Sequence, residues 1–211
     1  MKKKIVDGCQ ATAEIAYKLS EVIPIYPITP SSPMAEYCSG LNSKGVKNIF
    51  GEDVKMIEMQ SEGGVAGTLH GALLSRAYGS SFTSSQGLLL MIPNMYKMAG
   101  ECLPAVLHVS ARAVASHALS IFGDHSDVMA TRMSGFIMLA SSSVQNAHIL
   151  ALASHTLAMK AGLPVLHFFD GFRTSHELQK IDTFEDDEIK KVIKNYFINF
   201  KNTYQERQFG T

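Results

Sequence analysis

Three short polar constellations in this sequence have the residue types and spacing to do chemistry. The first is Tyr26-Pro27-Ile28-Thr29-Pro30-Ser31-Ser32-Pro33, in which Thr29 follows an apolar run. Its hydroxyl is suited to bond a small oxygen-bearing substrate, although Thr29, Ser31 and Ser32 would serve equally to cap the helix that follows. The second is Glu58-Met59-Gln60-Ser61-Glu62-Gly63-Gly64, which places an acid at the mouth of a glycine-rich segment. The helix macrodipole favours a carboxylate there without any catalytic duty, but the glycines beside it would clear room for a ligand. The third is Leu107-His108-Val109-Ser110-Ala111-Arg112, where a guanidinium leaves another apolar run. Its rigid fork matches a carboxylate, so Arg112 is a natural clamp for an acid substrate; the plain alternative is an ion pair with a surface acid.

Other chemistries have weaker support. Asp124, His125 and Asp127 in Gly123-Asp124-His125-Ser126-Asp127 are ligand types, but they lie too close together to converge on one ion without a distant fourth ligand. Helix capping accounts for them, and no metal site is expected. No GxGxxG, GxxxxGK[ST] or GxSxG occurs, so the dinucleotide, P-loop and nucleophile-elbow readings fail. The three cysteines, Cys9, Cys38 and Cys102, show no CxxC spacing and read as reduced cytosolic thiols.

The elements that must position these groups alternate between short apolar runs and segments of helical period. That is the pattern of an α/β fold, a mostly parallel twisted sheet with helices on both faces, whose ligand crevice lies beyond the carboxyl ends of the strands. Strands are expected at residues 22–28, 47–50, 54–59, 81–84, 105–110, 136–141 and 165–169. Helices are expected at 10–20, from an N-cap at Ser32 to about 41, at 61–77, 88–99, 126–133 and 144–161. Glycines 63, 64, 67 and 71 lie in the helix over 61–77, and Gly79 just beyond it. Each interior helical glycine costs about 0.5–1 kcal/mol relative to alanine, which points to close approach of a ligand or another backbone. From residue 182 the composition turns charged, and Ile189, Val192, Ile193, Tyr196, Phe197 and Phe200 recur at helical spacing. Residues 1–181 therefore read as one domain and 182–211 as an amphipathic tail.

Nineteen basic and nineteen acidic residues leave no positive field for nucleic acid or an anionic membrane. The basic N-terminus meets Asp7 and Gly8 before any apolar run long enough for a signal peptide, and no stretch approaches the roughly 20 apolar residues of a membrane span. A cytoplasmic protein is expected. A hydrophobic content of 46%, with 11 methionines, is high for a domain that covers its own surface, so part of the apolar area is expected to face a partner.

Residues 26–36 (YPITPSSPMAE), 58–63 (EMQSEG), 84–100 (SSQGLLLMIPNMYKMAG), 110–113, 119–128 (LSIFGDHSDV) and 166–177 (LHFFDGFRTSHE) together resemble the first domain of pyruvate:ferredoxin (flavodoxin) oxidoreductases. The resemblance runs from about residue 6 to 181, and these strings occur in the family's order. It implies a thiamine-diphosphate-binding fold of the pyrimidine-contacting type. Glu62 is then similar to the acid that bonds the aminopyrimidine ring nitrogen, favouring the imino form whose nitrogen deprotonates the thiazolium carbon. Thr29 and Arg112 are similar to the residues that hold pyruvate or a related 2-oxo acid, the guanidinium taking its carboxylate.

The resemblance also implies that magnesium and diphosphate binding, iron–sulfur clusters and coenzyme A belong to further modules, with ferredoxin or flavodoxin as indirect partner, in an oligomer. The chain would then be one module of oxidative decarboxylation to acetyl-CoA, not able to turn over alone. The competing reading is a non-catalytic remnant that binds a 2-oxo acid or a partner. Retention of Thr29, Glu62 and Arg112 together favours the first, since a drifting remnant is expected to lose at least one.

Overall fold

The computed structural model describes residues 1–116 and 118–206. The strands are β1 (Lys2–Val6), β2 (Val22–Ile25), β3 (Lys55–Glu58), β4 (Ser80–Thr83), β5 (Val106–Ala111), β6 (Ile137–Ser141), β7 (Val165–Asp170) and β8 (Gln179–Thr183). The helices are α1 (Gly8–Leu19), α2 (Ser32–Ser43), α3 (Glu62–Leu74), α4 (Ser85–Gly100), α5 (Ser126–Ala130), α6 (Val144–Ala161) and α7 (Asp186–Glu206), with a 3-10 turn at Arg132–Ser134. Residues 207–211, the end of the expected tail, lie outside the described residues.

Four strands form a parallel sheet in the order β4-β5-β7-β6, and β2 pairs in parallel with β3. A bridge between Val22 and Gly79 joins that pair to β4. Short connections cannot link parallel neighbours, so each crossover among these six strands runs through a helix and their carboxyl ends lie at the same edge. β5 is buried throughout and β7 up to its last residue, and both alternate between two helical layers. Leu107, Val109, Ala111, Leu166 and Phe168 pack with Val65 and Leu69 of α3 and Met91 and Met95 of α4. On the opposite face, Phe169 packs with Ala13 and Tyr17 of α1 and Met34 of α2.

Several expectations need correction. Residues 47–50 form no strand; only an isolated antiparallel bridge joins Lys47 to Asp53. The side chain of Asn48 instead accepts from the amides of Phe50 and Glu52, which closes a turn. Ser32 is the first helical residue of α2, and Ser31 at the cap position makes no side-chain cap bond; its hydroxyl donates to Ile28 O at 2.9 Å. β1 and β8, an antiparallel pair with Lys2 opposite Thr183, were not foreseen because Lys2-Lys3-Lys4 carries no apolar alternation. The glycines expected to mark a close approach divide. A Cβ on Gly79 would lie 2.6 Å from Val22 O, whereas among the described residues Gly67 and Gly71 have nothing within 4 Å of a would-be Cβ, and Gly63 has Leu90 O at 3.7 Å and Ser61 Oγ at 3.8 Å.

α7 lays Ile189, Ile193 and Phe200 against Ile15, Leu19 and Tyr78, so its apolar stripe is part of the core. Among the described residues no helix is long and apolar enough to cross a membrane.

Candidate functional site

The carboxyl ends of β2, β3 and β5 carry the polar groups singled out by sequence, and those of β4 and β7 lie beside them. After β2 the chain turns at Thr29, joined to Pro30 by a cis peptide. The amides of Ser31 and Ser32 close that turn on Ile28 O at 2.8 and 3.0 Å, leaving the Thr29 side chain exposed.

Arg112 directly follows β5 and is only 6% exposed. Its Nη1 donates to Thr29 O at 2.6 Å and its Nε to Ser120 O at 3.0 Å. The structure thus brings Thr29 and Arg112 into direct contact, through the backbone of one and the side chain of the other. No described carboxylate pairs with this guanidinium, so the surface ion pair that would have explained it is not made by the described residues. A nearly buried cation bonded only to carbonyl oxygens keeps both its charge and spare N–H donors for an anion.

Glu62 opens α3, where the Ser61 hydroxyl caps the helix by accepting from Gly64 N at 3.1 Å. Its side chain is 6% exposed, and no described residue hydrogen-bonds to its carboxylate. Room for the carboxylate itself is left by a residue of another helix. The space comes from Gly87 on α4, where a Cβ would lie 2.6 Å from Glu62 Oε1 and 2.7 Å from Thr83 Oγ1. Any larger residue would displace the carboxylate. Thr83 is fully buried and its hydroxyl has no partner among the described residues. A buried carboxylate beside an unpaired hydroxyl is the arrangement that a ligand with ring-nitrogen and amino groups would complete, so these residues fit the aminopyrimidine end of thiamine diphosphate. No hydrogen bond among the described residues links Glu62 to Thr29 or Arg112; they share the strand-end edge.

The turn from β4 into α4 is strained and tied down. Ser85 has φ +48°, a left-handed value that a serine rarely adopts. Its hydroxyl donates to Ala113 O at 2.7 Å, and Gln86 Nε2 to Ala115 O at 3.2 Å. The preceding Ser84 hydroxyl reaches Ser110 O at 2.8 Å. From β7, Asp170 Oδ1 accepts from the amides of Phe172 and Arg173 at 2.9 and 2.5 Å. A Cβ on Gly171 would lie 2.3 Å from Ala111 O and 2.9 Å from Pro30 Cγ, so only glycine lets β7, β5 and the Thr29 turn close together. Exposed Leu119, Ile121, Phe122 and Phe172 flank this edge, with the two phenyl rings 5.3 Å apart.

The Asp124-His125-Asp127 cluster resolves into separate parts. The Ser126 side chain, and after it the Ser126 amide that donates to Asp124 Oδ1 at 2.6 Å, hold the Asp124 carboxyl below the usual range. His125 lies edge-on to Phe168, and Asp127 points into the protein. Burial raises the Asp127 carboxyl, opposed by amide donors from Arg112, Ser85 and Val128. Among the described residues no group of three or more His, Cys, Asp or Glu is arranged to hold a metal ion. Cys9 and Cys38 are buried, and burial pushes the Cys9 thiol up to about 12, so neither is a ready nucleophile. Sequence reasoning missed Thr83, Ser85 and Gly87. They lie in or beside the string SSQG, but their signal, a positive φ and a contact from another helix, is not local.

A family model described as pyruvate flavodoxin/ferredoxin oxidoreductase, thiamine diphosphate-binding, matches residues 14–208. The pyruvate:ferredoxin oxidoreductase of Moorella thermoacetica is 58% identical over 193 residues, covering 92% of this chain and 16% of that protein. The pyruvate-flavodoxin oxidoreductase of Rhodospirillum rubrum is 56% identical over 192 residues, again with 16% of its length covered. The chain thus spans about a sixth of these relatives. Among solved structures, a 2-oxoglutarate:ferredoxin oxidoreductase from Magnetococcus marinus superposes with a TM-score of 0.76 at 20% identity, over 88% of this chain and 32% of that one. At that identity the likeness establishes the fold alone.

Proposed function

The chain belongs to the pyruvate flavodoxin/ferredoxin oxidoreductase family as a thiamine-diphosphate-binding domain, and on that premise we propose that it supplies the substrate clamp and the aminopyrimidine contact for oxidative decarboxylation of pyruvate. The observation that carries the reading is Arg112, almost buried, bonded to Thr29 O and Ser120 O, and left without a described carboxylate.

Arg112 takes the carboxylate of pyruvate or a related 2-oxo acid on its remaining N–H groups, and burial strengthens that pairing. The exposed hydroxyl of Thr29, the residue whose carbonyl Arg112 grips, orients the substrate's oxygen atoms. Glu62 would hold the aminopyrimidine ring nitrogen by a hydrogen bond, in a cradle that Gly87 keeps open. Thiamine diphosphate, when bound, would supply the carbon nucleophile for the keto carbon. Magnesium, the diphosphate contacts, coenzyme A and the iron–sulfur clusters that pass electrons to ferredoxin or flavodoxin belong, on this reading, to the other modules of an oligomeric, cytoplasmic oxidoreductase.

The test is Glu62→Gln in the complete oxidoreductase carrying this chain. It should lower pyruvate turnover about 10²–10⁴-fold, the usual contribution of a positioned acid–base group, with thiamine diphosphate still bound. Turnover within twofold of the parent would sink the assignment.

A further inference from the structure

Asp127 is wholly buried, and no described Lys, Arg or His forms an ion pair with it. A carboxylate kept dry without a counter-ion must be held by hydrogen bonds, and three backbone donors do so. Oδ1 accepts from Val128 N at 2.7 Å, while Oδ2 accepts from both Ser85 N at 2.8 Å and Arg112 N at 3.0 Å. The last two donors come from different strand ends. Ser85 starts α4 in its left-handed conformation, which has to be imposed from outside, and Arg112 follows β5. One oxygen atom therefore joins the turn that carries Gly87, and with it the Glu62 cradle, to the backbone of the proposed substrate clamp.

We propose that Asp127 is a positioning residue. It locks the β4–α4 turn onto the end of β5, so that the Arg112 guanidinium and the Glu62 carboxylate keep a fixed separation. The consequence for turnover rests on the reading of Arg112 as the 2-oxo acid clamp; the lock itself does not.

Asp127→Asn keeps the volume but turns an NH2 toward an amide that needs an acceptor, so the seam loosens without a cavity. The experiment compares the parent and Asp127→Asn forms of the complete oxidoreductase carrying this chain. It reads amide hydrogen exchange over residues 83–87 and 110–114 together with KM and kcat for pyruvate. Both segments should exchange about tenfold faster in step, the loss of roughly one hydrogen bond, with the rest of the protein unchanged. KM should rise by about the same factor while kcat stays nearly unchanged, since the clamp binds ground and transition states alike. Adding Ser85→Gly, which adopts the positive φ unaided, should restore exchange over 83–87 and part of KM. Unchanged exchange and KM would overturn the proposal, as would acceleration spread evenly over the protein with KM unmoved. Coupled loosening in a protein whose parent form does not consume pyruvate upholds the lock and overturns the pyruvate reading instead.

Discussion

Strand β5 carries polar groups into two regions that close their hydrogen bonds in opposite ways. In its interior, His108 is fully buried and joins a chain that runs from Tyr78 through His155, His108 and His167 to Ser141. The four links measure 3.0, 3.2, 2.9 and 2.7 Å. A neutral imidazole has one donor and one acceptor, so the chain closes in one sense or the other with every ring donating once and accepting once. Burial drives the three histidines toward that neutral form, taking His155 and His167 down to about 3. Four residues beyond His108, Arg112 is almost as buried, yet it keeps a charge that no described side chain answers. Polar burial alone therefore does not mark a site here. The histidine chain is saturated from within and reads as architecture, whereas at the edge a cation, a carboxylate and a hydroxyl have no side-chain partner among the described residues, as the proposed site requires.

The comparison predicts that damage to the first region costs stability and damage to the second costs function. His108→Ala should remove about 3–5 kcal/mol of unfolding free energy, because it opens a core void and orphans a ring nitrogen on each side; denaturant titration measures this. The KM for pyruvate of whatever folds should be unaltered. Arg112→Ala should do the reverse. It should lower kcat/KM for pyruvate by about 3 kcal/mol, on the order of 10²-fold, and change thermal stability little, since it deletes a charge the fold does not neutralise. A large stability loss with normal kinetics would break the contrast.

Acid should reach the histidine chain by linkage. The folded pKa values of His155 and His167 lie near 3, well below the unfolded value of about 6.5. Below pH 6.5 the unfolded chain binds protons that the folded chain refuses. Their contribution is thus complete above about pH 6.5 and is lost progressively toward pH 3. Each should cost roughly 2 kcal/mol by pH 5, and His167→Gln should flatten that part of the stability profile. The smallest expected effect is on the cradle. Gly87→Ala pushes a methyl against Glu62 and Thr83, and should weaken thiamine diphosphate binding in the complete enzyme about tenfold, roughly 1.4 kcal/mol, with little change in melting temperature.

The sequence by itself determined the fold class, because parallel strands buried on both faces must be written as short apolar runs, and helices as segments of period 3.6. The span of α6 could be read to the residue, since Ser143 caps its start and Gly162, at φ +65°, ends it. The placement of Thr29, Glu62 and Arg112 beyond strand ends was legible too, each being a polar residue at or just past an apolar run. Their partners were not. Gly87 makes room for Glu62 from another helix, Asp127 holds Arg112 from 15 residues away, and Thr29 meets Arg112 across 83 residues. The edge pair β1–β8 escaped notice for a similar reason, since its strands find each other across the whole length of the domain. Local pattern records which face a residue turns to the core. Which groups meet at the ends of the strands depends on the order of the strands in the sheet, and only tertiary packing fixes that.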